Sequence, residues 1–84
     1  MIKKLKYMPY AQAHIETHAD GAIELWSYET MVLRYNHYDN TLYCSGLYSM
    51  TTRKHISAFL KEYLPHIPYT FVRDMSLYVE VKIG

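Results

Sequence analysis

Hydrophobic and polar residues alternate in short runs through the first half of the chain, which indicates strands. Over residues 12–18 the alternation is weak, with two sides formed by Ala13, Ile15 and Thr17 against His14, Glu16 and His18. Asp20-Gly21 then predicts a two-residue hairpin turn with both positions at positive φ, and residues 22–26 form the return strand. Residues 2–9 fit an edge strand or an arm, and Pro9 ends regular pairing.

The next segment carries a second hairpin. Residues 27–29 fit either a turn or a bulge inside one long strand, and residues 31–35 are rich in strand-forming types in both cases. Residues 37–40 form a polar turn, in which Asp39 and Asn40 tolerate left-handed geometry. Residues 41–44 give the closing strand, and Gly46 marks a bend.

The pattern then changes to that of a helix over residues 52–63. One apolar stripe at helical spacing consists of Ile56, Phe59, Leu60 and Tyr63. Thr51 or Thr52 can act as the N-cap, because a hydroxyl accepts a hydrogen bond from a free backbone N–H. Pro65 ends the helix at or just before Leu64.

The C-terminal part returns from helix to strand. Pro68 can begin a short helix near residues 69–75, with Phe71, Val72 and Met75 on its inner side. After it, Leu77, Val79, Val81 and Ile83 alternate with Tyr78, Glu80 and Lys82, which predicts a terminal strand. The sequence therefore predicts one α+β domain over residues 1–84. In it, an antiparallel sheet of four to five strands is covered on one face by the main amphipathic helix, beside a second short helix.

Composition narrows the classes of function. The net charge of +1 matches neither a strongly basic nucleic-acid binder nor an acidic DNA mimic. Cys44 is the single cysteine, so no intramolecular disulfide forms, which fits a reducing compartment. We find no secretory signal and no apolar run of membrane-spanning length, and we expect a cytoplasmic protein. Ten tyrosines are too many for so small a core, so several lie at the surface and favour protein contacts.

Candidate chemical sites are few. His14, Glu16 and His18 share one strand face and would bind a metal only with a further ligand from elsewhere, so we predict no metal site. Cys44 and His55 are the residue types of a thiol nucleophile and its base, but a buried structural cysteine is the commoner case. The sequence lacks a phosphate-binding glycine motif, and we predict neither an enzyme nor a cofactor.

Two segments resemble a known family. They are residues 27–32, SYETMV, and residues 48–60, which contain YSMTTRKHI and FL. These resemble the SYxTxV and YSxTTxxHIxxFL segments of small uncharacterised proteins from phages, prophages and mobile elements of Gram-positive bacteria. The resemblance covers about half of the chain and implies an accessory gene of a mobile element, and with it the cytoplasm of a bacterial host.

Together these observations favour an inhibitor or adaptor that binds a larger host protein or defence complex, such as an anti-CRISPR protein. We predict that the partner-binding residues are Tyr28, Tyr48, Thr51, Thr52, Arg53, Lys54 and His55. The helix start could also hold a phosphate or carboxylate, or simply be an ordinary capped turn. The alternative is a small nucleic-acid-binding protein that uses Lys3, Lys4, Lys6, Arg53 and Lys54. The terminal strand is a candidate homodimer edge.

Overall fold

The computed structural model describes residues 1–47 and 49–83, and this part of the chain forms six strands and two helices. The strands are β1 (Ile2–Lys3), β2 (Ala13–Thr17), β3 (Ala22–Ser27), β4 (Thr30–Asn36), β5 (Thr41–Cys44) and β6 (Val81–Lys82). They form one antiparallel sheet in the order β1-β2-β3-β4-β5-β6. The α+β class is confirmed, but the predicted four to five strands become six, because two-residue strands lie at both edges.

The turn between β2 and β3 lies where it was predicted but has a different geometry. The Gly21 N–H donates to the His18 carbonyl at 3.1 Å, and the His18 N–H donates to the Ala22 carbonyl at 2.9 Å. Of Asp20 and Gly21, only Gly21 has a positive φ, of 90°. A longer loop needs only one left-handed residue, so the expectation of two was wrong. A Cβ atom at Gly21 would lie 2.4 Å from the Tyr38 ring, so the glycine also provides room.

The segment over residues 27–29 is a turn. Ser27, the last residue of β3, pairs with Thr30, the first residue of β4, and Tyr28 and Glu29 connect them. Tyr28 has a φ of 56°, and its N–H donates to the Gln12 carbonyl at 2.7 Å. The turn therefore holds a large aromatic residue in a backbone conformation that glycine normally occupies.

A bulge follows the same turn. Leu25 pairs with Leu33, but Trp26 pairs with Met31, so Val32 is an extra residue in β4. Val32 and Leu33 are consecutive and both fully buried, which strict alternation would not allow. Of the two alternatives for residues 27–29, the turn is therefore correct, and the bulge lies at Val32 and not within those residues.

The main helix, α1 (Met50–Tyr63), begins earlier than predicted. Its N-cap is Ser49, whose Oγ accepts the Thr52 N–H at 3.1 Å, so the predicted caps Thr51 and Thr52 lie inside the first turn. An N-cap needs extended backbone, and Ser49 has it, with φ −153° and ψ 170°. At the other end Leu64 is the C-cap, as the following proline predicts.

The core lies between the sheet and α1. Ile56, Phe59 and Leu60 of the predicted stripe are buried, whereas Tyr63 is half-buried. The buried cluster consists of Leu5, Ile15, Leu25, Val32, Leu33, Leu42, Cys44, Ile56, Ala58, Phe59, Leu60, Leu64 and Val72. The helix thus covers one sheet face and leaves the other face of β2 and β3 to polar side chains.

The second helix, α2 (Tyr69–Asp74), is confirmed as a short element after Pro68. Val72 is fully buried and Met75 half-buried, but Phe71 is exposed, which corrects the prediction that it faces inward. A helix of little more than one turn has room for few inward positions. Neither helix in residues 1–47 and 49–83 has the length and apolar character needed to cross a membrane.

The terminal strand is much shorter than its alternating pattern predicts. Only Val81–Lys82 pairs, with β5, and Leu77 and Val79 are exposed. Tyr78 has a φ of 64°, and its N–H donates to the Cys44 carbonyl at 2.9 Å. This single left-handed residue interrupts the extended run.

Candidate functional site at the strand–helix junction

A chain of polar side chains joins the end of β3 to the first turns of α1. Ser49 Oγ donates to Thr52 Oγ1 at 3.2 Å, and Thr52 Oγ1 lies 3.2 Å from Ser27 Oγ. Ser27 Oγ in turn lies 2.8 Å from His55 Nδ1. Thr52 and His55 reach Ser27 together because residues three apart in a helix share a face. All four residues belong to the two segments that carry the family resemblance.

The inner part of this chain is closed to solvent. Ser27, Thr52 and His55 are 3%, 3% and 1% exposed. Burial lowers the pKa of His55, because desolvation disfavours its charged form. A neutral His55 has one ring nitrogen that accepts a hydrogen bond and one that donates, so Nδ1 can pair with the Ser27 hydroxyl in either tautomer. We call Ser27, Ser49, Thr52 and His55 the junction network.

The junction network is suited to holding the helix on the sheet. A serine hydroxyl beside a histidine nitrogen is also the pairing of nucleophilic hydrolases, but Ser27 Oγ lies where a substrate carbonyl cannot reach it. Cys44, the other candidate nucleophile, donates to the Gly46 carbonyl at 3.8 Å. Burial raises the pKa of the Cys44 thiol and so disfavours the reactive thiolate.

Tyr28 lies on the solvent side of this network. Its ring centroid is 5.9 Å from that of His55, with the rings tilted by 51°, and the residue is 52% exposed. On another side it lines an open depression together with Gln12, His14 and Thr30. One side of Tyr28 therefore lies against the buried His55, while much of the residue remains exposed for contact with a partner.

Exposed residues of the first helical turns form the second part of the candidate surface, beside His55, which the Tyr28 ring contacts. Thr51 lies four positions before His55, and Lys54 lies one position before it. Met50 lies four positions before Lys54. Met50, Thr51 and Lys54 therefore form one exposed flank of α1. We call Tyr28, Met50, Thr51 and Lys54 the junction face. Arg53 is exposed as well and lies three positions after Met50, so it borders the junction face on the side away from His55.

The predicted partner-binding residues thus divide into groups. Tyr28, Thr51 and Lys54 belong to the junction face, and Arg53 is exposed at its border. Thr52 and His55 are buried, so their side chains support the surface from within. The remaining predicted residue, Tyr48, lies outside the described residues.

The basic residues of the nucleic-acid alternative lie in two places. Lys3 Nζ is 3.3 Å from a carboxylate oxygen of Glu62, and the Lys6 N–H donates to the other oxygen of that carboxylate at 2.9 Å. Glu62 is nine residues after Arg53, about 14 Å along the helix at about 1.5 Å per residue. Lys4 is exposed near Lys3 in the chain. An acidic residue therefore lies within the N-terminal group of lysines.

Sequence reasoning missed Ser27 and Ser49 as members of the site. Ser49 had the signal of an N-cap, but two threonines shortly after it have the same one. Ser27 lies within the resembling segment, but the sequence indicated no role for it, because its hydrogen-bond partners Thr52 and His55 are 25 and 28 residues away in the chain.

Comparisons with known proteins place this junction inside a recognised family. Comparisons with curated proteins and with solved structures give no match. Residues 2–68, which include all of the sheet except β6 and the whole of α1, match a family of unknown function, DUF8033. Because this match spans most of the chain, the protein belongs to the DUF8033 family of unknown function.

Proposed function

We propose that this protein acts by protein–protein contact, as a small non-enzymatic accessory protein of a phage or mobile element. We further propose that it inhibits a host-defence complex in the manner of anti-CRISPR proteins, from the cytoplasm of the bacterial host. The observation that carries the contact proposal is Tyr28, an exposed ring that lies against His55 of the buried junction network. The resemblance of residues 27–32 and 48–60 to small phage proteins supports the origin.

Tyr28 has the properties of a binding anchor. A left-handed conformation costs a residue other than glycine about 1–2 kcal/mol, and such strain is concentrated at functional positions. The backbone is held there by the 2.7 Å hydrogen bond from the Tyr28 N–H to the Gln12 carbonyl, so the direction in which the side chain leaves the backbone is set before binding. Tyrosine is enriched among the residues that dominate binding energy, and a backbone that is already ordered loses little entropy on association.

The rest of the junction face is consistent with an interface. Met50 adds an exposed apolar side chain, which is 67% exposed, and methionine is enriched at interfaces. Lys54 contributes a positive charge at the edge of the face. A complementary partner would offer an apolar cavity for the Tyr28 ring, with a carboxylate near Lys54.

Binding of nucleic acid remains the alternative and has less support. Salt-dependent binding to phosphates needs a concentrated positive face. Here one predicted group of basic residues contains the Lys3–Glu62 ion pair, and the other lies near the opposite end of α1.

Affinity capture from a lysate of a bacterial host, followed by mass spectrometry, tests the proposal. The wild type should retain one large protein or complex, and Tyr28→Ala and Lys54→Ala should retain at least tenfold less. Tyr10→Ala is the matched control, because Tyr10 is 96% exposed and lies outside the junction face. Tyr28→Gly should likewise lose the partner while keeping its circular dichroism spectrum, since glycine relieves the positive φ.

Two results would contradict the proposal. One is equal capture by the wild type and by Tyr28→Ala. The other is tight binding to DNA or RNA that weakens steeply with salt and is reduced by Lys6→Ala and Arg53→Ala, which would establish the nucleic-acid alternative.

The homodimer prediction has its own test. Since β6 is an edge strand with one neighbour in the sheet, two copies could pair there, and analytical ultracentrifugation would measure the dimer.

A further inference from the structure

The polar face of β2 and β3 brings together metal-ligating side chains that are separate in the sequence. Glu16, His18 and Glu24 each offer one ligand atom, and these three atoms all lie within 4.8 Å of one another. The Glu16 and Glu24 backbones are direct cross-strand partners, and His18 Nε2 lies 2.9 Å from Glu24 Oε1. The missing ligand for the His14, Glu16 and His18 strand face thus comes from the neighbouring strand.

We propose that Glu16, His18 and Glu24 bind a Zn²⁺ ion on this open face of the sheet. Ligand atoms on a tetrahedral zinc ion, with bonds of about 2.0 Å, lie about 3.3 Å apart. The His18–Glu24 distance, now that of a hydrogen bond which the ion would replace, is close to that value, and a side-chain adjustment of Glu16 completes the set. Three protein ligands leave a fourth position, which water fills.

The charges on this face favour a cation. Two carboxylates placed opposite each other on paired strands repel, and an ion between them removes that repulsion. Arg34 is the cross-strand partner of Glu24 on the other side, but its guanidinium lies 3.0 Å from Glu80 and over the Tyr43 ring. Arg34 lines the same depression as His18 and Glu24, but the depression is also lined by the carboxylates of Asp20, Asp39 and Glu80, which offset its charge.

Neighbouring rings orient both carboxylates. His14 Nε2 lies 3.0 Å from Glu16 Oε2, and Trp26 Nε1 donates to Glu24 Oε1 at 3.2 Å. The two rings stack on each other, with centroids 5.9 Å apart and planes within 6° of parallel. Outer hydrogen bonds of this kind hold metal ligands in place, so His14 and Trp26 act as positioning residues.

The donor set selects among metals. An imidazole nitrogen with two carboxylates suits Zn²⁺, whereas Ca²⁺ and Mg²⁺ prefer oxygen ligands only. A site with His18 as a true ligand should therefore bind Zn²⁺ far more tightly than Ca²⁺. This contrast distinguishes a zinc site from a cluster of acidic side chains that attracts any divalent cation.

Isothermal titration of the folded chain with ZnCl₂, and separately with CaCl₂, tests the proposal. We expect one Zn²⁺ per chain and at least tenfold weaker binding of Ca²⁺. Fluorescence emission from Trp26, the single tryptophan, should change over the same titration, because its ring N–H donates a hydrogen bond to the proposed zinc ligand Glu24. His18→Gln and Glu24→Gln should each weaken Zn²⁺ binding at least tenfold. The matched controls His66→Gln and Glu29→Gln, at exposed positions outside the cluster, should leave it unchanged.

Folding and binding can be separated in this experiment. Glu24→Gln removes one of the two opposed charges and keeps an oxygen that accepts from Trp26, so the variant should remain folded by circular dichroism. Trp26→Phe should weaken Zn²⁺ binding while its stoichiometry stays at one, as expected of a positioning residue. The proposal is overturned if the wild type does not bind Zn²⁺, if His18→Gln binds it as tightly as the wild type, or if Ca²⁺ binds equally well.

Discussion

Replacing Ser27 with alanine removes one oxygen atom from the middle of the junction network. In the wild type that oxygen lies 2.8 Å from His55 Nδ1 and 3.2 Å from Thr52 Oγ1. Thr52 Oγ1 keeps its hydrogen bond from Ser49, so its loss is partial. His55 Nδ1 loses the partner it has in this network, inside a site that is closed to water.

The expected cost follows from the burial of His55. Leaving one buried polar atom unsatisfied costs about 1–3 kcal/mol. A domain of this length has a free energy of unfolding of roughly 4–13 kcal/mol at about 0.05–0.15 kcal/mol per residue. One missing oxygen should therefore remove a substantial part of the stability. The melting temperature should fall by about 4–8 °C for each kcal/mol lost.

Urea unfolding followed by circular dichroism measures this change in the free energy of unfolding. Ser57→Ala is the matched control, since Ser57 is an exposed serine within α1 and its replacement should change the free energy by less than about 0.5 kcal/mol. A Ser27→Ala variant as stable as Ser57→Ala would refute the reasoning. It would mean that the buried hydrogen bonds between sheet and helix make no net contribution to the free energy of unfolding.

Two further predictions concern the same helix. Burial lowers the pKa of His55 below the value of about 6.5 expected in the unfolded chain. The stabilisation that neutral His55 provides is therefore complete above about pH 6.5, and it is lost as the pH falls through the pKa of His55 in the folded chain. The stability advantage of the wild type over His55→Gln, measured by urea unfolding between pH 8 and 5, should therefore shrink on acidification; a constant or growing advantage would contradict this cause. Phe59→Ala should cost about 3–5 kcal/mol because its ring is fully buried. The exposed Phe71→Ala should cost clearly less, and the reverse order in thermal melts would show that the helix face is wrongly assigned.

Much of the fold is predictable from local patterns. Alternation and turn residues place β2 to β5 within a residue or two, because inward and outward positions of a strand differ in polarity. The stripe ending at Tyr63 and the proline at 65 place α1 and its end. The N-cap was misplaced by two or three residues, because three hydroxyl residues near the helix start are equivalent in local chemistry.

The candidate site was only half predictable. The resembling segments directed attention to the junction, but they did not show that Thr52 and His55 face inward while Thr51 and Lys54 face solvent. That division depends on where the helix begins and how it rotates against β3. Similarly, the strand face of His14, Glu16 and His18 was recognised, but Glu24 could be placed beside it only through the strand register.

Local patterns in the chain are enough to predict the α+β class, the positions of the central strands and the main helix, and the surplus of tyrosines that reaches the surface. These depend on periodicity and composition, which act over a few neighbouring residues. Four features become visible only in the folded chain: the bulge at Val32, the short β6 after the left-handed Tyr78, the burial of the junction network and the contact of Glu24 with His18. The junction network and β6 depend on contacts between residues distant in the chain, and the bulge and the Glu24–His18 contact depend on strand register, neither of which has a local signal in a single sequence.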